Sequence, residues 1–289
     1  MGGKITVPDI RARKGGQKLT MVTAYDFATA RIASEAGADM LLVGDSLANV
    51  ILGFESTLDV DLDVMIHHTA AAARAEPDAL LVGDMPWMSY HVSVEDGVRN
   101  AGRLVREGGA EAVKLEGGRK RLPVIEAILK AEIPVMGHLG LTPQSVHSMG
   151  GYRVQGKAVD EARETLTDAI ALAEAGVFAM VLEGVPDVLA KIITKEVSVP
   201  TIGIGAGAGT DGQVLVFHDV LGLHDGKLPK FVRQYADLKG QAVEALQQFF
   251  KEVQAGAFPS EDETYHMGEE AEKAFLEGPS SDLSWPLSW

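Results

Sequence analysis

The stretch Met40-Leu41-Leu42-Val43-Gly44-Asp45 places four apolar residues before a glycine and an acid, and this pattern decides the fold. A short apolar run that ends at glycine is typical of a buried strand. Four further runs end in or near a carboxylate: Leu80-Leu81-Val82-Gly83-Asp84, Ala112-Val113-Lys114-Leu115-Glu116, Met180-Val181-Leu182-Glu183 and Val214-Leu215-Val216-Phe217-His218-Asp219. Because strands joined by helix-length segments form parallel sheets, we expect these acids at one face, where the strands end.

Eight strands are predicted along the chain, with helices between most of them. The strands are 19–25, 38–45, 79–85, 111–117, 133–139, 178–184, 199–205 and 212–218, and the helices are 26–36, 60–75, 93–107, 119–131, 160–175 and 186–196. Residues 231–254 also keep apolar residues at helical spacing. This order predicts an α/β fold, a (β/α)8 TIM barrel whose bottom is covered by residues 1–18. Only six residues separate the last two predicted strands, which is too short for the helix that an ideal barrel has there. A Rossmann sheet is the alternative.

The chain divides by composition into a body and a tail. With 289 residues and 46% hydrophobic content, it can bury one large core. We predict a barrel domain at 1–260, followed by an acidic, flexible tail at 261–289. The tail ends in Trp285-Pro286-Leu287-Ser288-Trp289, which we expect either to dock on a neighbour or to remain an unpacked terminus.

Charge and composition exclude several classes of function. The net charge of −15, with no basic stripe, argues against nucleic acid as a partner. The absence of cysteine excludes disulfides and thiolate metal sites and is compatible with a reducing cytosol. The sequence contains no run of about 18 apolar residues, so no membrane-spanning helix is predicted. The N-terminus shows no signal-peptide apolar region. We therefore expect a cytoplasmic protein without a membrane partner.

Three acids follow neighbouring predicted strands, namely Asp45, Asp84 and Glu116. Neighbouring strands lie about 5 Å apart, so the three carboxylates can converge on one site. Oxygen ligands, without cysteine or a close histidine pair, favour Mg²⁺ over Zn²⁺. Each aspartate alone could instead cap a helix.

Further polar residues belong to the same rim. Lys114 and Glu116 lie two apart on one strand and share its inner side, where buried charges pair with each other or bind a ligand. His138 ends the fifth strand. Glu183 ends the sixth, across the barrel from the predicted metal, where a carboxylate keeps the basicity that a metal ligand loses. It is the candidate general base, and a salt bridge with a lysine is the alternative.

The stretch Gly203-Ile204-Gly205-Ala206-Gly207-Ala208 loosely fits a dinucleotide-binding pattern. It comes late in the chain, and no clear helix follows it in a βαβ unit. Backbone amides for an anionic group, or close packing, explain it better.

The chain resembles the ketopantoate hydroxymethyltransferase family over roughly residues 20–260. The resemblance lies in these motifs: Thr23-Ala24-Tyr25-Asp26, Val43-Gly44-Asp45-Ser46-Leu47, Glu55-Ser56-Thr57-Leu58, Val113-Lys114-Leu115-Glu116-Gly117-Gly118, Gly137-His138-Leu139-Gly140-Leu141-Thr142-Pro143-Gln144-Ser145, Gly150-Gly151-Tyr152-Arg153-Val154-Gln155-Gly156, Ile202-Gly203-Ile204-Gly205-Ala206-Gly207 and Thr210-Asp211-Gly212-Gln213. The 137–145 and 150–156 strings are the most specific. Phe54 stands where many members have His or Tyr, and Asp59 where they have Pro, in a loop expected to border the folate.

The resemblance implies a barrel of the phosphoenolpyruvate/pyruvate type that works with Mg²⁺ and a folate co-substrate. The implied reaction moves a hydroxymethyl group from 5,10-methylenetetrahydrofolate to 3-methyl-2-oxobutanoate and gives ketopantoate, a step of pantothenate biosynthesis. The metal would stabilise the enolate formed when C3 loses a proton. The resemblance also implies a homodecamer. The implied roles are metal binding for Asp45 and Asp84, with Glu116 in the metal's shell directly or through water, substrate binding for Ser46, Asp84, Lys114 and His138, and proton abstraction for Glu183.

Three other functions remain open at this point. A carbon–carbon lyase of the same barrel group, acting on a 2-oxo acid, would keep the acids but show no dependence on folate. A catalytically silent scaffold is disfavoured by the complete set of acids. An NAD-binding dehydrogenase would rest on the weak glycine pattern alone.

Overall fold

The computed structural model describes residues 3–151, 153–223, 226 and 228–278. The motif residue Tyr152 and the tail's end, 279–289, lie outside the described residues, so docking by the terminal tryptophans stays a prediction. Two compact units make up the chain, residues 1–237 and residues 238–289. The boundary predicted from composition, at 260/261, therefore falls inside the second unit.

Eight parallel strands close into a barrel in the first unit, in the order β1 to β8, with β8 paired to β1. This confirms the predicted (β/α)8 architecture over the Rossmann alternative. The strands are β1 (Leu19–Thr23), β2 (Met40–Val43), β3 (Leu80–Asp84), β4 (Ala112–Glu116), β5 (Val135–Gly140), β6 (Ala179–Glu183), β7 (Thr201–Ile204) and β8 (Gly212–Leu215).

Helices follow most strands, as the amphipathic segments predicted. Asp26, Asp61 and Ser93 begin three of them by accepting a hydrogen bond from a backbone N–H of the first turn, which stabilises a helix N-terminus. The helices of this unit are α1 (Val7–Ala12), α2 (Phe27–Glu35), α3 (Leu47–Val50), α4 (Leu62–Ala73), α5 (Val94–Arg106), α6 (Leu122–Lys130), α7 (Val146–Met149), α8 (Val159–Ala175), α9 (Asp187–Glu196) and α10 (Phe217–Leu221), with 3-10 turns at Thr57–Asp59, Arg119–Arg121 and Pro143–Ser145.

The eighth strand ends earlier than predicted. The prediction continued it to residue 218, whereas the chain leaves the sheet after Leu215 and enters α10. The cause is a tertiary contact, because the Phe217 amide donates to Thr23 Oγ1 over 2.9 Å and turns the chain over the end of β1.

The connection between β7 and β8 carries no helix in residues 205–211, all of which are described. Gly205 and Gly207 both adopt left-handed backbone conformations there, with φ of +63° and +77°. A Cβ at Gly207 would lie 2.7 Å from the Asp187 Cβ. Close packing, one of the two explanations expected for this glycine pattern, is therefore present at Gly207.

Two apolar layers hold the barrel. The inner layer includes Met40, Val82 and Met136, and Ile10 from α1 joins it with 1% exposure. The described part of the N-terminal segment, residues 3–18, thus covers the bottom, as predicted for residues 1–18. Val113 packs in the outer layer against the helices, so alternation along β4 turns Lys114 and Glu116 toward the interior, on top of the inner apolar layer.

The second unit contains α11 (Leu238–Gln254), a 3-10 turn at Glu261–Glu263 and α12 (Glu269–Glu277). Helical spacing suggested a start near residue 231, but α11 begins at Leu238. Every described residue from 261 to 278 is exposed. Along the described residues, no helix is both long enough and apolar enough to cross a bilayer.

Deletion of residues 261–289 is expected to leave the barrel folded. The described part of this segment is exposed and acidic, and changes at such surfaces usually alter stability by less than about 0.5 kcal/mol. The check is the soluble yield and the thermal melt of the truncated chain beside the full chain. Insoluble protein after truncation would show instead that the tail packs.

Candidate active site

The C-terminal ends of the strands surround a cavity of about 250 Å³. This is the face at which (β/α)8 barrels carry their chemistry. All seven residues singled out from the sequence line the cavity, namely Asp45, Ser46, Asp84, Lys114, Glu116, His138 and Glu183. The structure therefore brings together residues from five strand ends that are far apart in the sequence.

Asp45 and Asp84 form a close acidic pair. The Asp45 amide donates to Asp84 Oδ2 over 3.2 Å, and both side chains are buried. Burial raises the pKa of Asp45 well above its usual value, and the nearby Asp84 and Glu116 carboxylates raise it further. Burial likewise raises the pKa of Asp84, although Lys114 opposes it. Two ionised carboxylates here are unfavourable unless a cation lies between them.

The donor set fits Mg²⁺ held by two aspartates rather than by a cage of protein ligands. Over the described part of the chain, no three His, Asp or Glu side chains could hold a metal ion by themselves. Mg²⁺ is usually bound by one or two carboxylates and keeps water or substrate oxygens as its other ligands. Two adjacent buried aspartates supply the carboxylates that such a site needs.

Glu116 has protein contacts at both of its carboxylate oxygens. Its Oε2 accepts a hydrogen bond from the Gln144 backbone N–H over 3.0 Å, and its Oε1 lies 3.3 Å from His138 Nδ1. Oε1 is buried and has no hydrogen-bond partner among the described residues. Glu116 thus links the acidic pair to the histidine, because Oε2 accepts from the Gln144 backbone and Oε1 faces the His138 ring.

Lys114 is a buried cation on β4. Its Nζ lies 2.8 Å from Asp84 Oδ1, so its ion pair forms with Asp84 on the neighbouring strand and not with Glu116, the partner that the sequence suggested. Burial alone would lower the pKa of Lys114, but the Asp84, Asp45 and Glu116 carboxylates outweigh it and raise the pKa. Because Lys114 also lines the cavity, it presents a fixed positive charge to any ligand there.

His138 lies between two carboxylates at the end of β5. Its Nδ1 faces Glu116, and its Nε2 lies 3.2 Å from Glu183 Oε2. Burial and the Lys114 charge disfavour the imidazolium, but the Glu116 and Glu183 carboxylates outweigh them and raise the pKa of His138 to about 9. Glu183 thus pairs with a histidine, not with the lysine considered as the alternative. Its side chain keeps 17% exposure toward the cavity.

A glycine allows His138 and Glu183 to meet. Gly140 pairs with Glu183 across β5 and β6 and has φ of +93°. A Cβ at this position would lie 2.2 Å from the Glu183 carbonyl oxygen. Only glycine therefore permits this approach of the two strand ends.

The protein is expected to lose stability as the pH rises from about 6.5 to 9, in part through His138. The folded pKa of about 9 exceeds the unfolded value of 6.5, so the contribution is complete below pH 6.5 and lost above 9. Its size is on the order of 3 kcal/mol. Urea unfolding of metal-free protein across this range measures it. His138→Gln should flatten the dependence, and the exposed His147→Gln should not. Equal slopes in both variants would contradict the assignment.

The structure adds residues that sequence reasoning missed. Tyr25 is fully buried, and its hydroxyl lies 2.9 Å from Ser46 Oγ, which fixes the serine at the cavity wall. Tyr90 and Gln144 are buried behind the acids, where the Tyr90 hydroxyl donates a hydrogen bond to Gln144 Oε1 over 2.6 Å. Gln144 stands inside the motif at 137–145, but no spacing rule indicates which groups its side chain meets. Phe54 and Asp59 are exposed and are not among the residues that line the cavity.

Comparisons with known proteins find relatives over most of the chain. A family model for ketopantoate hydroxymethyltransferase matches residues 4–261. A 3-methyl-2-oxobutanoate hydroxymethyltransferase from Moorella thermoacetica is 56% identical over 263 residues, covering 91% of this chain and 98% of the relative. One from Syntrophomonas wolfei is 53% identical over 268 residues, covering 92% and 97%.

Two solved structures share the fold. A 2,3-dimethylmalate lyase, described as a PEP mutase/isocitrate lyase superfamily member, superposes with a TM-score of 0.56 at 16% identity and covers 94% of each chain. A phosphonopyruvate hydrolase gives 0.57 at 13% identity and covers 95% of each chain. At such identities the likeness shows the fold alone, and it agrees with the (β/α)8 barrel of this chain.

Proposed function

This chain belongs to the ketopantoate hydroxymethyltransferase family, and from that premise we propose that it transfers a hydroxymethyl group from 5,10-methylenetetrahydrofolate to 3-methyl-2-oxobutanoate. The products are 2-dehydropantoate (ketopantoate) and tetrahydrofolate, and one water is consumed. The observation that carries the proposal is a single cavity that combines a buried acidic pair, a buried lysine and a carboxylate set apart from that pair.

The acidic pair and the lysine would bind the 2-oxo acid. Asp45 and Asp84 would hold Mg²⁺, with Glu116 in reach through water, and the ion would supply positive charge that stabilises an enolate of the bound acid. Lys114 attracts the substrate carboxylate, and Ser46, fixed by Tyr25, donates or accepts a hydrogen bond at the cavity wall.

Glu183 would take the proton from C3 of the bound acid. It lies on β6 with its side chain open to the cavity, apart from the acidic pair on β2 and β3. His138, held as an imidazolium between Glu116 and Glu183, orients the base. Water would release the one-carbon unit from N5 and N10 of the folate as formaldehyde, and the two nitrogens would keep its protons as tetrahydrofolate forms. C3 would then attack the formaldehyde carbon, and the oxygen would take the proton that Glu183 removed, which gives the hydroxymethyl group.

The test is an assay with 3-methyl-2-oxobutanoate, 5,10-methylenetetrahydrofolate and Mg²⁺, with and without EDTA. We expect ketopantoate only when all three are present. Turnover of a 2-oxo acid without folate would favour the lyase alternative. Full activity in EDTA-treated protein would remove Mg²⁺ from the proposal while leaving the transfer reaction in place.

The chain is expected to assemble as a homodecamer, a proposal that rests on family resemblance. Light scattering at micromolar concentration, combined with size-exclusion chromatography, gives the mass directly. A mass ten times that of the 30.7 kDa chain is expected. A monomer under these conditions would refute the proposal.

A further inference from the structure

We infer that Gln144, itself held by Tyr90, is the positioning residue that sets Asp45 and Glu116 in place for the cation. The inference rests on the proposed function, since it concerns the same metal site. It adds two residues that contact neither the metal nor the substrate in that proposal.

Gln144 touches two of the three acids at once. Its Nε2 donates to Asp45 Oδ2 over 2.9 Å and to the Met85 carbonyl over 3.0 Å. Its backbone N–H donates to Glu116 Oε2 over 3.0 Å. The residue is 5% exposed and stands in the 3-10 turn Pro143–Ser145 that follows β5, so its backbone position is fixed by the barrel.

The direction of each hydrogen bond follows from what surrounds the amide. The Met85 carbonyl and an ionised Asp45 can only accept, so the NH₂ group of Gln144 must face them. Its Oε1 then faces Tyr90, whose hydroxyl donates to it over 2.6 Å. The same hydroxyl accepts from the Glu116 N–H over 3.1 Å.

These contacts form a closed circuit. It runs from the Glu116 N–H to Tyr90, from Tyr90 to the Gln144 side chain, and from the Gln144 N–H back to the Glu116 carboxylate. No apolar side chain of similar size can complete it, because the buried side-chain contacts need both a donor and an acceptor.

These contacts determine which carboxylate oxygens of Asp45 and Glu116 are already occupied. Gln144 occupies Asp45 Oδ2, and among the described contacts Asp45 Oδ1 has no hydrogen bond, which leaves it to the cation. On Glu116, the Gln144 backbone N–H occupies Oε2, so Oε1 is the oxygen that faces His138 Nδ1, 3.3 Å away. Groups that orient ligating carboxylates in this way typically contribute about 10–100-fold in metal affinity.

The experiment measures metal affinity without turnover. Mn²⁺ serves as the probe, with free Mn²⁺ followed by electron paramagnetic resonance in the presence of 3-methyl-2-oxobutanoate and without folate. Gln144→Met keeps the size of the side chain and removes its amide group, and we expect Mn²⁺ to bind about 10–100-fold more weakly. Tyr90→Phe should give part of this loss. The double variant should be no weaker than Gln144→Met alone, since both act through one circuit.

Gln213→Met is the matched control. Gln213 lies on β8, and its amide donates to the Gly207 carbonyl and Thr210 Oγ1, away from the acids. Its Mn²⁺ affinity should equal that of the wild type. Thermal melts in EDTA accompany every variant, because a merely structural role would lower stability and leave the affinity of the folded protein unchanged.

The outcomes separate the inference from the proposed function. If wild type binds Mn²⁺ and Gln144→Met binds it within about twofold, the positioning role is overturned and the metal site stands. If wild type binds no Mn²⁺, the metal proposal fails and the inference with it. Should Gln144→Met not fold, Tyr90→Phe decides. Weakened Mn²⁺ binding by folded Tyr90→Phe supports the inference, and unchanged binding overturns it.

Discussion

Glu183→Gln is expected to slow exchange of the C3 hydrogen of 3-methyl-2-oxobutanoate in D₂O by at least about a hundredfold, since loss of a general base typically costs about 10²–10⁴ in rate. The substitution keeps the size of the side chain and removes its charge, so substrate and Mg²⁺ should still bind. The exchange reaction, followed by NMR with Mg²⁺ present, isolates proton removal from folate chemistry.

The control is Glu126→Gln, which makes the same change on the exposed face of α6 and should exchange at the wild-type rate. Lys114→Ala and His138→Ala locate the base if Glu183 is not it. Wild-type exchange by Glu183→Gln, with a loss in one of these two, would reassign the base. Glu183 would then be a partner of His138 alone.

Asp45→Ala and Asp84→Ala are each expected to abolish measurable Mg²⁺ binding and to differ in stability. Each substitution removes a proposed ligand of the ion. The resulting loss of Mg²⁺ affinity should exceed the roughly 10–100-fold loss that follows removal of an outer contact. Asp84→Ala also leaves Lys114 buried without its 2.8 Å partner, which costs about 3–5 kcal/mol. Asp45 has a raised pKa, so its ionised form destabilises the metal-free fold at neutral pH. Asp45→Ala in EDTA should therefore melt at or above the wild-type temperature.

Isothermal titration with Mg²⁺ and thermal melts in EDTA measure both effects. Asp160→Ala removes an acid that is 95% exposed and should change neither. Retained Mg²⁺ binding in either site variant would exclude that aspartate as a ligand. Equal destabilisation of the two would show that the Asp84–Lys114 pair contributes little.

Much of this site follows from strand positions that the sequence reveals. Asp45, Asp84, Glu116 and Glu183 stand at the ends of apolar runs, and parallel strands bring their ends to one face. Once the barrel was predicted, their convergence was a matter of geometry. Resemblance to a family supplied what geometry does not, namely the folate, the 2-oxo acid and the substrate-binding roles of Ser46 and Lys114.

Features that depend on tertiary contacts escaped prediction. The early end of β8 follows from one hydrogen bond to Thr23, and apolar residues continued past it in the sequence. The circuit through Tyr90 and Gln144 joins positions 54 residues apart, and its bond directions depend on surroundings that no periodicity encodes. The unit boundary at 237/238 precedes the change in composition at 260/261. Residues 228–237 still belong to the barrel unit, where Phe231 lies against Gly205.

Closure of the barrel by β1 and β8 has a consequence for how activity is acquired. Leu19 pairs with Gly212, so the last strand joins the first only after nearly the whole unit has been ordered, and such non-local pairings are entropically slow to form. The proposed ligands stand on β2 and β3 and the base on β6. A half-barrel fragment, however native its helices, holds only part of the catalytic set. Recovery of turnover after dilution from denaturant is therefore a late reporter of folding, whereas circular dichroism reports the helices and strands that precede it.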